Sequence, residues 1–142
     1  MATPIPNEEV ARALMLGDEG ARANGHHAMI GAEYILYGAL VIVEQESAVI
    51  EHRGVFGHVS AEMVMRRIVL IRPHSDFSDD TMRSECYDST LRIAIQLAEQ
   101  AGSEVVDLEH LSLAIVVEQG STVNLAQNIL RRFTPSLGLP PL

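Results

Sequence analysis

Apolar positions recur along most of this chain at helical spacing. In "NEEVARALMLGDEGARANG", Val10, Ala13, Leu14 and Gly17 fall near the 3.6-residue period, and Ala21 continues the stripe. Asn7 supplies a cap, Glu8 and Glu9 suit the positive end of a helix dipole, and Gly25 supplies a stop. The pattern predicts a helix over about 7–23. After the connector "HHAMI", the run "AEYILYGALVIVEQ" is apolar on almost every side. It reads as a helix buried on most faces, because it is long for a buried strand. "ESAVIEHRGV" predicts a short third helix closed by Gly54. "VSAEMVMRRIVLI" predicts a fourth, capped by Ser60 or an adjacent loop residue and ended by Pro73, with Met63, Ile68 and Val69 inward and Met65 on a soft surface patch.

The pattern then breaks. "RPHSDFSDDTMRSE" is polar, acidic and rich in turn formers, and reads as a linker over about 73–84. "YDSTLRIAIQLAEQAG" restarts a helix, with Asp88 or Ser89 as its cap and Gly102 as its stop. "SEVV" is a connector, and "DLEHLSLAIVVEQG" is a second buried helix ending at Gly120. "STVNLAQNILRRF" is amphipathic, capped by Ser121, and "TPSLGLPPL" is a frayed tail over 133–142. Phe77 and Phe133 fall outside the main stripes and are expected to latch the halves together.

The two halves share an order: amphipathic helix, short loop, buried helix opening on a Glu, Gly-bounded turn, short helix. The opening acids, Glu33 and Glu109, are 76 residues apart. Halves of about 7–72 and 85–132 are each too small to bury a core alone. They are expected to pack with pseudo-twofold symmetry into one all-α domain spanning 1–142.

Composition narrows the function. Apolar residues are 47% and aromatics 4% of the 142 residues, which favours helices packed through aliphatic side chains. A net charge of −9 repels phosphate backbones, so nucleic acid is not an expected partner. All 10 basic residues are arginine, which excludes the lysine of a phosphate-binding loop and Schiff-base chemistry. Cys86 is the single cysteine, so no internal disulfide and no thiolate metal cluster can form. Its neighbours include no activating motif, and the six histidines lack metal-binding spacing. No cofactor, metal or catalytic activity is expected. The amino terminus has no signal-peptide pattern and no apolar run spans a bilayer, so no membrane association and a cytoplasmic location are expected.

The stretch "GHHAMIGAEYILYGAL", answered by "SEVVDLEHLSLAI", resembles the N-terminal domain of Clp-type AAA+ chaperones, in particular the ClpC branch. That domain is a tandem four-helix repeat. Its hallmark is a loop Gly-His-x-x-[Ile/Val]-Gly-Thr-Glu-His before a Leu-rich helix, once per repeat. The resemblance covers about 7–132, with the last helix of the second repeat short or absent. It implies a non-enzymatic module that docks protein substrates and adaptors onto an unfoldase. It also implies that Glu33 and Glu109 receive a phosphorylated arginine, in a groove between the repeats. Gly31, Ala32, Tyr34, Asp107 and His110 are the expected supporting residues.

The departures fall in the same motif. Ala32 and Leu108 stand where the family has Thr, Tyr34 where it has His, and Asp107 where it has Gly. The chain ends in "GLPPL" without an ATPase module, so the resemblance implies a free-standing domain acting as adaptor, decoy or regulator in protein degradation, its partners being substrates, adaptors or a Clp-type chaperone. An apolar face left open by a missing last helix would make it a homodimer. The competing expectation is a drifted helical protein, structural or self-associating, that has lost the family's ligand. His26 is expected to hold its loop in place.

Overall fold

A computed structural model describes residues 2–46, 56, 59–75, 80–121 and 123–134. Six α-helices are present among them: α1 Glu8–Ala23, α2 Ala32–Glu46, α3 Ala61–Ile71, α4 Glu85–Gln100, α5 Leu108–Val117 and α6 Leu125–Phe133. Two short strands, β1 Ile5–Pro6 and β2 Val105–Val106, pair in parallel. Most of the expected third helix, Phe77 and most of the tail lie outside the described residues.

Helix α2 is the hub, with α1, α3, α4, α5 and α6 all packed against it. Its side chains from Ala32 to Leu36 and from Gly38 to Leu40 are buried. This is what its nearly unbroken apolar sequence requires. The α1–α2 contact is close because both helices carry glycine where they meet. A Cβ placed on Gly38 would lie 1.9 Å from the carbonyl oxygen of Ala13, and one on Gly17 would lie 2.4 Å from that of Tyr34.

The two halves repeat in detail. Helix α1 is closed by Gly25 and α4 by Gly102, each the residue after the C-cap, with φ of 73° and 70°. After each glycine the next amide reaches back, His26 to the Ala21 carbonyl (2.7 Å) and Ser103 to that of Ala98 (2.9 Å). This is the Schellman closure that a left-handed glycine allows. Strand β1 leads into α1 while bonded to β2, with the Asn7 amide donating to the Val106 carbonyl at 3.0 Å. The segment leading into α4 does the same in the other half, with the Ser84 amide donating to the Ile30 carbonyl at 2.9 Å. Each half thus threads its first helix beside the loop that starts the other half's buried helix.

Several expected boundaries shift. Ser84, not Asp88 or Ser89, caps α4, its Oγ accepting from the Tyr87 amide at 3.1 Å. The apolar stripe already begins at buried Cys86 and Tyr87, so Asp88 and Ser89 lie inside the helix. Asn124, not Ser121, caps α6. Ser121 instead donates to Glu118 Oε1 at 2.6 Å. On α3 the inward stripe is Ala61, Val64 and Ile68. Val69 is 44% exposed, and Met65 packs against the core in the role expected of Met63. A short strand replaces part of the "SEVV" connector, and residues 82–84 of the expected linker are bonded to the loop before α2. Phe133 packs against the core.

Candidate functional site

The first copy of the motif opens into a cavity of about 490 Å³. One wall comes from the start of α2, with Gly31, Ala32 and Glu33 beside Met29. The second half supplies Ser84, Glu85 and Cys86 at the start of α4, and Ser121, Val123 and Leu125 around the α5–α6 turn. Arg72, just past the end of α3, completes it. The cavity therefore lies between the repeats, where the amino-terminal ends of α2 and α4 meet.

Glu33 is the unusual group there. It is only 2% exposed, which is costly for a carboxylate without partners. Its position depends on Gly31. A Cβ at Gly31 would lie 1.9 Å from Glu33 Oε1, so the carboxylate folds back over the residue that opens the helix. There it accepts from its own backbone amide. Arg72 Nη1 donates to Glu33 Oε2 at 3.2 Å and to the Met29 carbonyl at 3.0 Å. Burial still holds the Glu33 carboxyl above the usual carboxylate range, and its own amide and Arg72 offset only part of that.

Behind the cavity lies a second buried carboxylate, Glu118. It accepts from Ser121 Oγ at 2.6 Å and Asn124 Nδ2 at 2.7 Å. Gln127 Nε2 donates to the carbonyls of Ile115, Val116 and Glu118 at 2.7–3.1 Å. These bonds fix the turn that carries Ser121 and Val123. Cys86 Sγ lies 3.8 Å from Glu118 Oε2. Burial, reinforced by the nearby negative charge of Glu118, pushes the thiol up to about 12, so it lines the cavity as a neutral thiol.

The second copy is built differently. Asp107 occupies the position of Gly31, and its own Oδ1 accepts from the His110 amide at 2.9 Å. His110 Nδ1 in turn accepts from the Asp107 amide, closing a reciprocal capping box. The helix start is thereby satisfied without Glu109, which stands in solvent. The motif residues thus divide. Gly31, Ala32 and Glu33 line the cavity, whereas Glu109, Asp107, His110 and Tyr34 do not. Tyr34 is fully buried, and its hydroxyl meets His26 Nδ1 and accepts from Asn24 Nδ2. His26, 1% exposed, holds the loop before α2 in this way.

Arg72, Ser84 and Cys86 join the site only through the tertiary fold. In the sequence, Arg72 is one residue before a proline and Ser84 one polar residue in an acidic stretch. Neither carries a local signal of its role.

The fold is that of a Clp chaperone N-terminal domain. The solved N-terminal domain of the caseinolytic protease associated chaperone ClpD from Arabidopsis thaliana aligns with a TM-score of 0.69, over 93% of this chain and 89% of that chain, at 18% sequence identity. No protein-family model matches the chain, and no curated protein matches it. No helix among the described residues is long and apolar enough to cross a membrane.

Proposed function

We propose that this chain is a non-enzymatic protein-docking module. It receives an arginine-derived side chain of a partner protein at Glu33, and serves as an adaptor, decoy or regulator in protein degradation. The observation that carries this reading is the buried Glu33 carboxylate, set in an open cavity between the repeats and already in contact with a guanidinium. A carboxylate held by its own backbone is pre-organised for the planar fork of arginine. The likeness to a ClpD N-terminal domain supports docking as the use of this fold. Phosphoarginine is one form of the ligand. Its phosphate would meet the start of α4, where the Tyr87 amide is already held by Ser84 Oγ and the Glu85 carboxylate stands beside the cavity.

A second reading, a drifted helical protein without a ligand, is favoured by the second copy, where Asp107 and His110 close the helix start. Calorimetric titration of the wild type, Glu33→Ala and Glu109→Ala with arginine amide and with phosphoarginine separates the two. The docking reading expects binding that is lost in Glu33→Ala and kept in Glu109→Ala. Absence of binding of either compound to folded wild-type protein would remove the arginine reading, leave Glu33 as a helix start and turn the search to protein partners.

A further inference from the structure

We infer that Arg72 is an internal competitor for the docking site: its guanidinium holds the Glu33 carboxylate until a partner's guanidinium displaces it. The inference rests on the docking reading above and adds its regulation and its selectivity. Arg72 sits between the last turn of α3 and Pro73, with φ −120° and ψ 73°. The following proline disfavours helical backbone at this residue. This end of α3 directs Arg72 into the cavity wall, where its side chain is 20% exposed beside a carboxylate 2% exposed.

The contact has the features of a replaceable plug. It is made through one nitrogen, Nη1, which the Met29 carbonyl shares. Its 3.2 Å length is long for a charge-assisted bond, which is usually about 2.7–2.9 Å. A guanidinium entering from the open side can present two parallel N–H groups to the carboxylate, the stronger bidentate arrangement. An ammonium cannot, because it is a compact point charge without a planar fork. The exchange leaves Glu33 paired throughout, so no uncompensated buried charge is created. The site is therefore selective for arginine over lysine, and its apparent affinity is reduced by the fraction of molecules in which Arg72 occupies Glu33.

The test is a titration of the wild type, Arg72→Gln and Glu33→Gln with Nα-acetyl-arginine methylamide and its lysine counterpart. Arg72→Gln is expected to bind the arginine compound about tenfold more tightly than the wild type, as removal of a competing state requires. Glu33→Gln should bind neither. A measurement on the unaltered protein stands beside it, in case Arg72→Gln folds poorly: the Arg72 side-chain nitrogen resonances should shift as the arginine compound is added. Equal or weaker binding to Arg72→Gln, or Arg72 resonances that stay still while the wild type saturates, would overturn the competitor and leave the docking reading standing. Equal binding of the lysine compound would overturn the selectivity. Failure of every variant to bind would remove the docking reading, and the competitor with it.

Discussion

The carboxylate of Glu33 occupies the space that a side chain on Gly31 would need: a Cβ there falls 1.9 Å from Oε1 and 2.7 Å from Cδ. One missing side chain thus lets a first-turn acid turn back on its own helix start and face the cavity. The obstacle is the end of a flexible side chain, not backbone. Gly31→Ala is therefore expected to leave the fold intact, with stability changed by about 1 kcal/mol or less, while moving the carboxylate off its site. Arginine amide binding should fall at least tenfold at unchanged helicity. Unaltered affinity in the variant would mean that the position of Glu33 does not matter for binding.

Burial raises the proton affinity of Glu33 in the folded chain above its ordinary value of 4.5. Between the unfolded and folded values, the native state holds a proton that the unfolded state has released. Stability contributed at this site is therefore present at low pH and is lost as pH rises from about 4.5 through the folded value. Chemical denaturation of wild type and Glu33→Gln across pH 3–8 isolates this group, with pH points spaced by about half a unit. The wild type should lose stability relative to the variant as pH rises. A flat difference would show that Arg72 and the backbone fully offset the desolvation.

Gly38 and Gly102 separate two costs of replacing glycine. At Gly38 a methyl group would meet the Ala13 carbonyl at 1.9 Å, and the two helices would have to part. Gly38→Ala should cost about 3 kcal/mol, at the upper end of ordinary overpacking. At Gly102 the added carbon meets nothing within 4 Å, and only the left-handed backbone, φ 70°, opposes it. Gly102→Ala should cost about 1–2 kcal/mol. Thermal unfolding of both variants checks the order, which reverses if the α1–α2 contact is soft.

The Cys86 thiol, buried and pushed up to about 12, should resist alkylation by iodoacetamide at pH 8 in the native protein and react once the chain is unfolded in guanidinium. Fast native labelling would mean that the cavity wall opens far enough to expose and ionise it.

The second copy gives a contrast in stability. Asp107 caps α5, so Asp107→Ala should cost about 1 kcal/mol. Glu109 is exposed and contributes only through the helix dipole, so Glu109→Ala should change stability by about 0.5 kcal/mol or less. Urea midpoints of the two variants test the pair together. Equal losses would assign Glu109 a structural contact that the fold does not supply.

What the sequence determined by itself was local and periodic. The 3.6-residue stripe placed α1, and the unbroken apolar run placed α2, almost to the residue, because an amphipathic helix must repeat its apolar face and a hub helix must be apolar all round. Gly25 and Gly102 were legible as stops and both adopt positive φ, whereas α5 already ends at Val117, before the expected stop at Gly120. The Glu-opened repeat was legible because both copies sit at the start of a buried helix. Helix starts in loops of many small polar residues were harder to place. Ser84 and Asn124 differ little in sequence from Asp88 and Ser121, and only the packing of Cys86 and the turn held by Glu118 select them. The tertiary structure alone separated the two acids. Glu33 and Glu109 occupy matching places in their repeats, yet one is buried beside Arg72 and the other stands in solvent. The physical reason is the residue two positions before each. Gly31 leaves room for the carboxylate and Asp107 fills that room with its own, while Arg72 reaches Glu33 only because α3 ends against the loop before α2.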